Sequence, residues 1–131
     1  MENTIRVLKI EPGKAPYVKE IEKDYRASQR EVGGLIDCFG FGDGCIAVLN
    51  DESKINGMEP NRRCRDDIIC GSFFICYAPV ESEKYLSLPD NLRKKYEEMF
   101  RHPEMITRKD TGDIRIMRLP LPEKTMEREE R

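Results

Sequence analysis

Between residues 50 and 65 the chain gathers Asn50, Asp51, Glu52, Lys54, Asn61, Arg62, Arg63 and Arg65. These side chains can recognise an anion. Arginine offers a planar fork that matches phosphate or carboxylate, lysine a point charge, and asparagine a donor and an acceptor that can read an amide or base edge. A polar loop held between two rigid strands is a usual place for binding groups, because the scaffold sets the geometry and the loop supplies the polar atoms. The same stretch carries turn chemistry at Asn50-Asp51, Asn56-Gly57 and Pro60-Asn61. The competing reading is therefore a solvated turn in which Asn50 and Asn61 bond their own backbone and Glu52 offsets Lys54.

Other candidate chemistry is thinner. The five cysteines, Cys38, Cys45, Cys64, Cys70 and Cys76, are an odd number without any C-x-x-C pair. That argues against a disulfide framework and against a zinc knuckle, and buried reduced thiols are the expectation. His102 stands alone before Pro103 at the end of an amphipathic pattern, where a helix-terminal or surface role is expected rather than a Cys-His nucleophilic pair. The run Gly40-Phe41-Gly42-Asp43-Gly44 resembles a phosphate cradle only in its glycines. It lacks the Lys-Ser/Thr pair and is followed by an apolar strand pattern rather than a helix, so a hairpin turn is expected. No matched acid and base and no metal constellation is visible, so the chain is expected not to be an enzyme and to need no cofactor.

The elements that would position the loop can be read from periodicity. Residues 4–10 (TIRVLKI) read as a strand ended by Glu11-Pro12-Gly13. After Pro16, Ile21, Tyr25, Ser28 and Val32 fall at spacings of four, three and four, which predicts one helix closed by Gly33-Gly34, with a charged solvated face. Residues 35–39 and 45–49 read as hairpin strands about the glycine turn, and residues 50–64 as a structured loop. Residues 67–77 (DDIICGSFFICY without its first Asp) read as one interior strand bent at Gly71. Ser87 and Asp90 suggest a capping box opening a second helix, with Leu92, Tyr96, Met99 and Phe100 as its apolar stripe. Residues 105–107 and 114–119 flank a last hairpin turn, and the tail EKTMEREER has too little apolar surface to bury.

The 131 residues are 37% charged and 38% hydrophobic, in keeping with one domain over residues 1–122 and a flexible charged tail over 123–131. With 23 Lys and Arg against 25 Asp and Glu, the formal charge of -2 provides no general field for nucleic acid. The longest apolar runs fall far short of the roughly 20 residues that cross a bilayer. The first residues lack the basic and apolar stretches of a secretory signal, so a cytoplasmic location is expected.

Several segments together carry a family resemblance: IRVLKIEPGKAPYVKEI at the start, VGGLI at 32–36, NDESK at 50–54, the G-x-x-P-N-R character of 57–62, and DIICGSFFI at 67–75. In order and spacing, over most of residues 4–107, this resembles the domain-of-unknown-function family 3846, small proteins of bacteriophages, conjugative elements and their bacterial hosts. Family members usually have Asn-Glu-x-x-Lys or Asn-Glu-x-Gly-Lys where this chain has Asn50-Asp51-Glu52-Ser53-Lys54, so Asp51 departs from the pattern. The resemblance implies an accessory protein of a mobile element, a setting in which small proteins often antagonise host defences.

The sequence thus predicts an α+β fold, a mixed and mostly antiparallel sheet with two packed helices. It predicts non-catalytic binding of a small anionic, nucleotide-like ligand by Asn50, Glu52, Lys54, Asn61 and Arg62 beside Gly33 and Gly34. The alternative is an inhibitor that docks on a host defence protein through a surface, without a pocket. A metal- or thiol-dependent enzyme is the least favoured reading. Oligomeric state is left open.

Overall fold

The alternation of TIRVLKI sets the layout. In the computed structural model, which describes residues 3–121, these residues form β1 (Thr4–Ile10). Leu8 and Ile10 enter one core, while Ile5 and Val7 enter another on the opposite side. A strand with both faces buried must lie inside a sheet. β1 accordingly lies between β2 (Tyr17–Glu22) and β7 (Phe73–Tyr77). The sheet continues to β4 (Cys45–Asn50) and β3 (Ile36–Gly40), in the order β2-β1-β7-β4-β3, and every ladder in it is antiparallel.

Helix α1 (Tyr25–Val32) covers the face that carries Val7, Val48, Phe74 and Cys76. The other face is covered by α2 (Asp90–Met99) and by a hairpin of β5 (Pro60–Cys64) and β6 (Asp67–Cys70). There Tyr96 and Phe100 pack with Leu8, Phe73 and Ile75. Full burial of one such side chain contributes about 1.5–3 kcal/mol, so the two cores hold the layers together. A last hairpin, β8 (Glu104–Arg108) and β9 (Ile114–Arg118), lies beside β5. The fold is α+β, as the sequence predicts.

Several local expectations are corrected. Residues 17–22 are a strand, not the first half of a helix. They pair along their length with β1, and the helix starts only where Asp24 accepts a hydrogen bond from the Ala27 N–H at 2.8 Å. Ile21 and Val32 are both buried, so the apparent stripe joins one strand residue to the helix. The loop expected over 50–64 is a turn over 51–57 followed by β5, whose register shifts between Pro60 and Arg62. The interior strand expected over 67–77 is two strands in different sheets. Gly71, at a φ of 81°, makes the break, and a Cβ there would meet the Met58 sulfur at 2.7 Å.

The capping box does not form either. α2 begins after Pro89, and the Ser87 hydroxyl instead accepts from the Arg6 N–H at 2.9 Å. The glycine-rich turn docks on α2 through Asp43. Its Oδ2 accepts from the Tyr96 hydroxyl at 2.7 Å and from Lys95 at 2.9 Å, and its Oδ1 accepts from the Cys45 N–H at 3.0 Å. Four cysteines are buried and Cys38 is exposed, and all five are reduced. No helix among the described residues is long and apolar enough to cross a membrane. The tail expected over 123–131 lies outside the described residues.

Candidate functional site

The residues selected from the sequence separate into three groups. Asn50, Gly33 and Gly34 meet on the α1 side. The Asn50 Nδ2 donates to the Val32 carbonyl at 3.1 Å, and its Oδ1 accepts from the Glu52 N–H at 2.7 Å. Gly33 closes α1 at a φ of 83°, and a Cβ on Gly34 would stand 3.0 Å from the Asn50 amide nitrogen. These contacts join the end of β4 to the end of α1. Asn50 is buried, and both ends of its amide are spent on the protein's own backbone.

Asn61 and Arg62 form the second group, under α2 on the far face of the sheet. The Asn61 Nδ2 donates to the carbonyls of Ile10 and Gly71, and its Oδ1 accepts from Arg62 Nη1 at 2.8 Å. Arg62 is 0% exposed. Its Nε and Nη2 donate to the Phe100 carbonyl at 3.1 and 3.0 Å, Nη2 also donates to the Lys14 carbonyl at 2.6 Å, and Nη1 reaches the Asn61 carbonyl at 3.4 Å. Burial lowers its pKa to about 10, with Glu104 acting the other way, so the guanidinium is still charged at neutral pH. A charge this deep is tolerated because carbonyl oxygens from three segments surround its fork. With its donors engaged and no exposed surface, Arg62 is a cross-link between the 11–16 turn, the end of α2 and β5, and it does not present itself to a ligand.

Glu52 and Lys54 form the third group, exposed on the 51–57 turn, with Lys54 paired to Asp67. Lys54 borders a groove of about 340 Å³ between the two hairpins, with Met58, Ile68, Ile106 and Arg108. Gly33 borders a separate, shallow hollow of about 360 Å³ with Met58 and Gly71. The expected convergence of Asn50, Lys54, Asn61 and Arg62 on one cavity is not realised.

A cleft of about 810 Å³ opens elsewhere, between the first turns of α1 and the segment joining β7 to α2. Ile5 of β1 and Ile36 of β3 are its apolar surfaces, Tyr25 and Ser28 come from α1, and Glu83, Lys84 and Tyr85 form the opposite wall. Tyr25 and Ser28 are three residues apart on a helix and so point the same way. The opposite wall is fastened at its base. Tyr77 and Leu86 exchange backbone bonds at 3.1 and 2.7 Å, and the Leu88 N–H donates to the Arg6 carbonyl at 2.9 Å. Tyr85 packs against the α1-side core. Burial first, then the neighbouring thiols of Cys38 and Cys76 and the phenol of Tyr25, push its pKa up to about 12. At neutral pH it is a phenol that can donate a hydrogen bond.

Charge in this cleft is mixed. Glu22, Asp24 and Glu83 stand against Lys23 and Lys84, and Glu22 is 3.6 Å from Arg30. Two aromatic rings, hydroxyls and near-balanced charges over an apolar floor suit a flat polar molecule of low net charge better than a polyanion. In the sequence Tyr25 and Ser28 fit an apolar helical stripe, which hides them as cavity-lining residues. The available signal was that a stripe containing a serine and a tyrosine is polar enough to line a cavity. His102 Nδ1 lies 3.2 Å from the Leu119 carbonyl, linking the end of α2 to the segment after β9. Among the described residues no cluster of three His, Cys, Asp or Glu is placed to hold a metal ion.

No curated protein and no solved structure is matched by the chain. A family model described as a domain of unknown function (DUF3846) matches residues 5–101, which takes in the five-stranded sheet, both helices and the cleft, and stops before the last hairpin. The chain belongs to the DUF3846 family.

Proposed function

We propose that the protein is a non-catalytic binding protein that takes up a small, flat, polar molecule of low charge, nucleoside-like in character, in the cleft between α1 and the 78–88 segment. One observation carries the reading. Tyr25, Ser28 and Tyr85 face a common space of about 810 Å³ over Ile5 and Ile36, which is within the range of small-molecule sites. The rings supply stacking area, and the hydroxyls fix orientation by hydrogen bonds. In the setting implied by the family resemblance, a phage or mobile-element protein in the host cytoplasm, such binding sequesters a host signal and so counters a defence. The anion site first expected at residues 50–65 is replaced in this proposal, because its asparagines and arginine serve the fold.

Thermal shift against a panel of nucleosides and mononucleotides tests the reading. A ligand that binds only the folded state at about 100 times its Kd stabilises it by about 2.7 kcal/mol. At least one compound should raise the melting temperature by several degrees, and Tyr25→Ala should abolish the rise. No rise with any compound, or a rise unaffected by Tyr25→Ala, contradicts the proposal.

A second reading, a direct block of a host defence protein, is favoured by one observation. The last hairpin leaves Met105, Ile114 and Met117 about half exposed. A flat response across the panel, together with retention of a defence protein that Met105→Lys and Met117→Lys release, would support it instead.

A further inference from the structure

The geometry points to β9 as a self-association edge: two copies of the chain pair their β9 strands antiparallel about Ile116, merging two hairpins into one four-stranded sheet. The β8–β9 ladder fixes which backbone groups are free. Lys109 N–H donates to the Asp113 carbonyl and Leu119 N–H to the Pro103 carbonyl, both at 2.7 Å, so the odd-numbered residues of β9 face β8. The N–H and C=O groups of Ile114, Ile116 and Arg118 therefore point away from β8. None of them has a hydrogen-bond partner among the described residues.

These three residues are symmetric about Ile116. In an antiparallel pair centred there, Ile116 meets Ile116 of the second copy, and Ile114 meets Arg118 of the second copy in both directions. Each of these is a hydrogen-bonded pair, so every outward group is satisfied. On the other face Arg115 falls opposite Met117 of the second copy. No like charges are directly opposed, and the arginine stems lie over apolar side chains. Ile106 pairs with Ile116 within each hairpin, so with the two Ile116 residues meeting at the axis the joined sheet carries an apolar row of four isoleucines on the Ile116 face.

The two edges of the five-stranded sheet are less suited. On β3 the Cys38 N–H is taken by the Asp37 carboxylate and the Gly40 carbonyl by Arg65, both at 2.8 Å. β2 carries Lys19, Glu20 and Glu22 along its length. Such occupied groups and charges are the usual ways an edge is kept from pairing. β9 lies beyond residues 5–101, the part matched by the family model.

Sedimentation velocity of the full chain, from about 10 µM to about 1 mM, tests the proposal in a range suited to a small interface. The expected result is a concentration-dependent shift from the 15.3 kDa monomer to a dimer. Ile116→Pro removes an outward N–H while leaving the β8–β9 ladder bonds their donors, and Ile116→Lys opposes two cations across the axis. Each should weaken association at least about tenfold, with the far-UV spectrum and melting temperature of the dilute monomer unchanged. If the proline variant unfolds the hairpin, the lysine variant gives the answer alone. A monomer at every concentration, or a dimer unaffected by the lysine variant, overturns the proposal.

Discussion

The Arg62 guanidinium and the Asn61 side-chain carbonyl lie 2.8 Å apart, and together the two residues bind backbone carbonyls of Ile10, Lys14, Gly71 and Phe100. Removing Arg62 would leave several buried acceptors unpaired at once. Arg62→Ala should therefore lower the unfolding free energy by about 3–5 kcal/mol, the scale for breaking a buried charged network. Lys54→Ala, at an exposed ion pair, should change it by less than about 1 kcal/mol. Urea denaturation of the two variants measures both. Equal, small effects would show that Arg62 is not a structural cross-link.

Asp43 predicts a particular acid sensitivity. Burial alone would raise its pKa, but hydrogen bonds from Lys95, Tyr96 and the Cys45 N–H outweigh it and hold the carboxyl well below the usual range. A carboxylate with a depressed folded-state pKa contributes its full stability above the unfolded value of about 3.9 and loses it as the pH falls toward the folded value. Asp43→Asn should thus be less stable than the parent at pH 7, by about 1–3 kcal/mol, and the gap should narrow as the pH falls below about 4. Urea midpoints at pH 7, 4 and 3 provide the check. A gap that stays constant or widens on acidification contradicts this role.

Asn50 acts as both donor and acceptor, which one substitution can separate. Asn50→Asp retains the acceptor for the Glu52 N–H but loses the donor to the Val32 carbonyl and sets two oxygens against each other. The variant should be destabilised by about 1–3 kcal/mol at pH 7, and part of that loss should be recovered once the carboxyl is protonated. Thermal unfolding at pH 7 and pH 4 reads this directly. A variant as stable as the parent would mean that the amide does not join α1 to β4.

The parts of the fold legible in the sequence are those whose local pattern agrees with their tertiary setting. TIRVLKI and FFICY are branched or aromatic runs that end as central strands. Asn61 and Arg62 are different. Locally they spell a turn, and only carbonyls from Lys14 and Phe100, distant in sequence, make a buried strand of them. Ile21 misled in another way, since a buried residue one turn before a helix continues its stripe while belonging to the neighbouring strand. The cleft was hidden because Tyr85 comes from a segment rich in Pro, Glu and Lys, and only the folded chain brings it opposite Tyr25.

The location of binding is tested most directly by an amide chemical-shift map of the isotope-labelled protein titrated with the panel compound that gives the largest thermal shift. Perturbations should concentrate at residues 23–28 and 83–85, with Ile5 and Ile36 as the floor of the site. Perturbations centred on residues 50–65, or none at saturating compound, would contradict binding in the cleft.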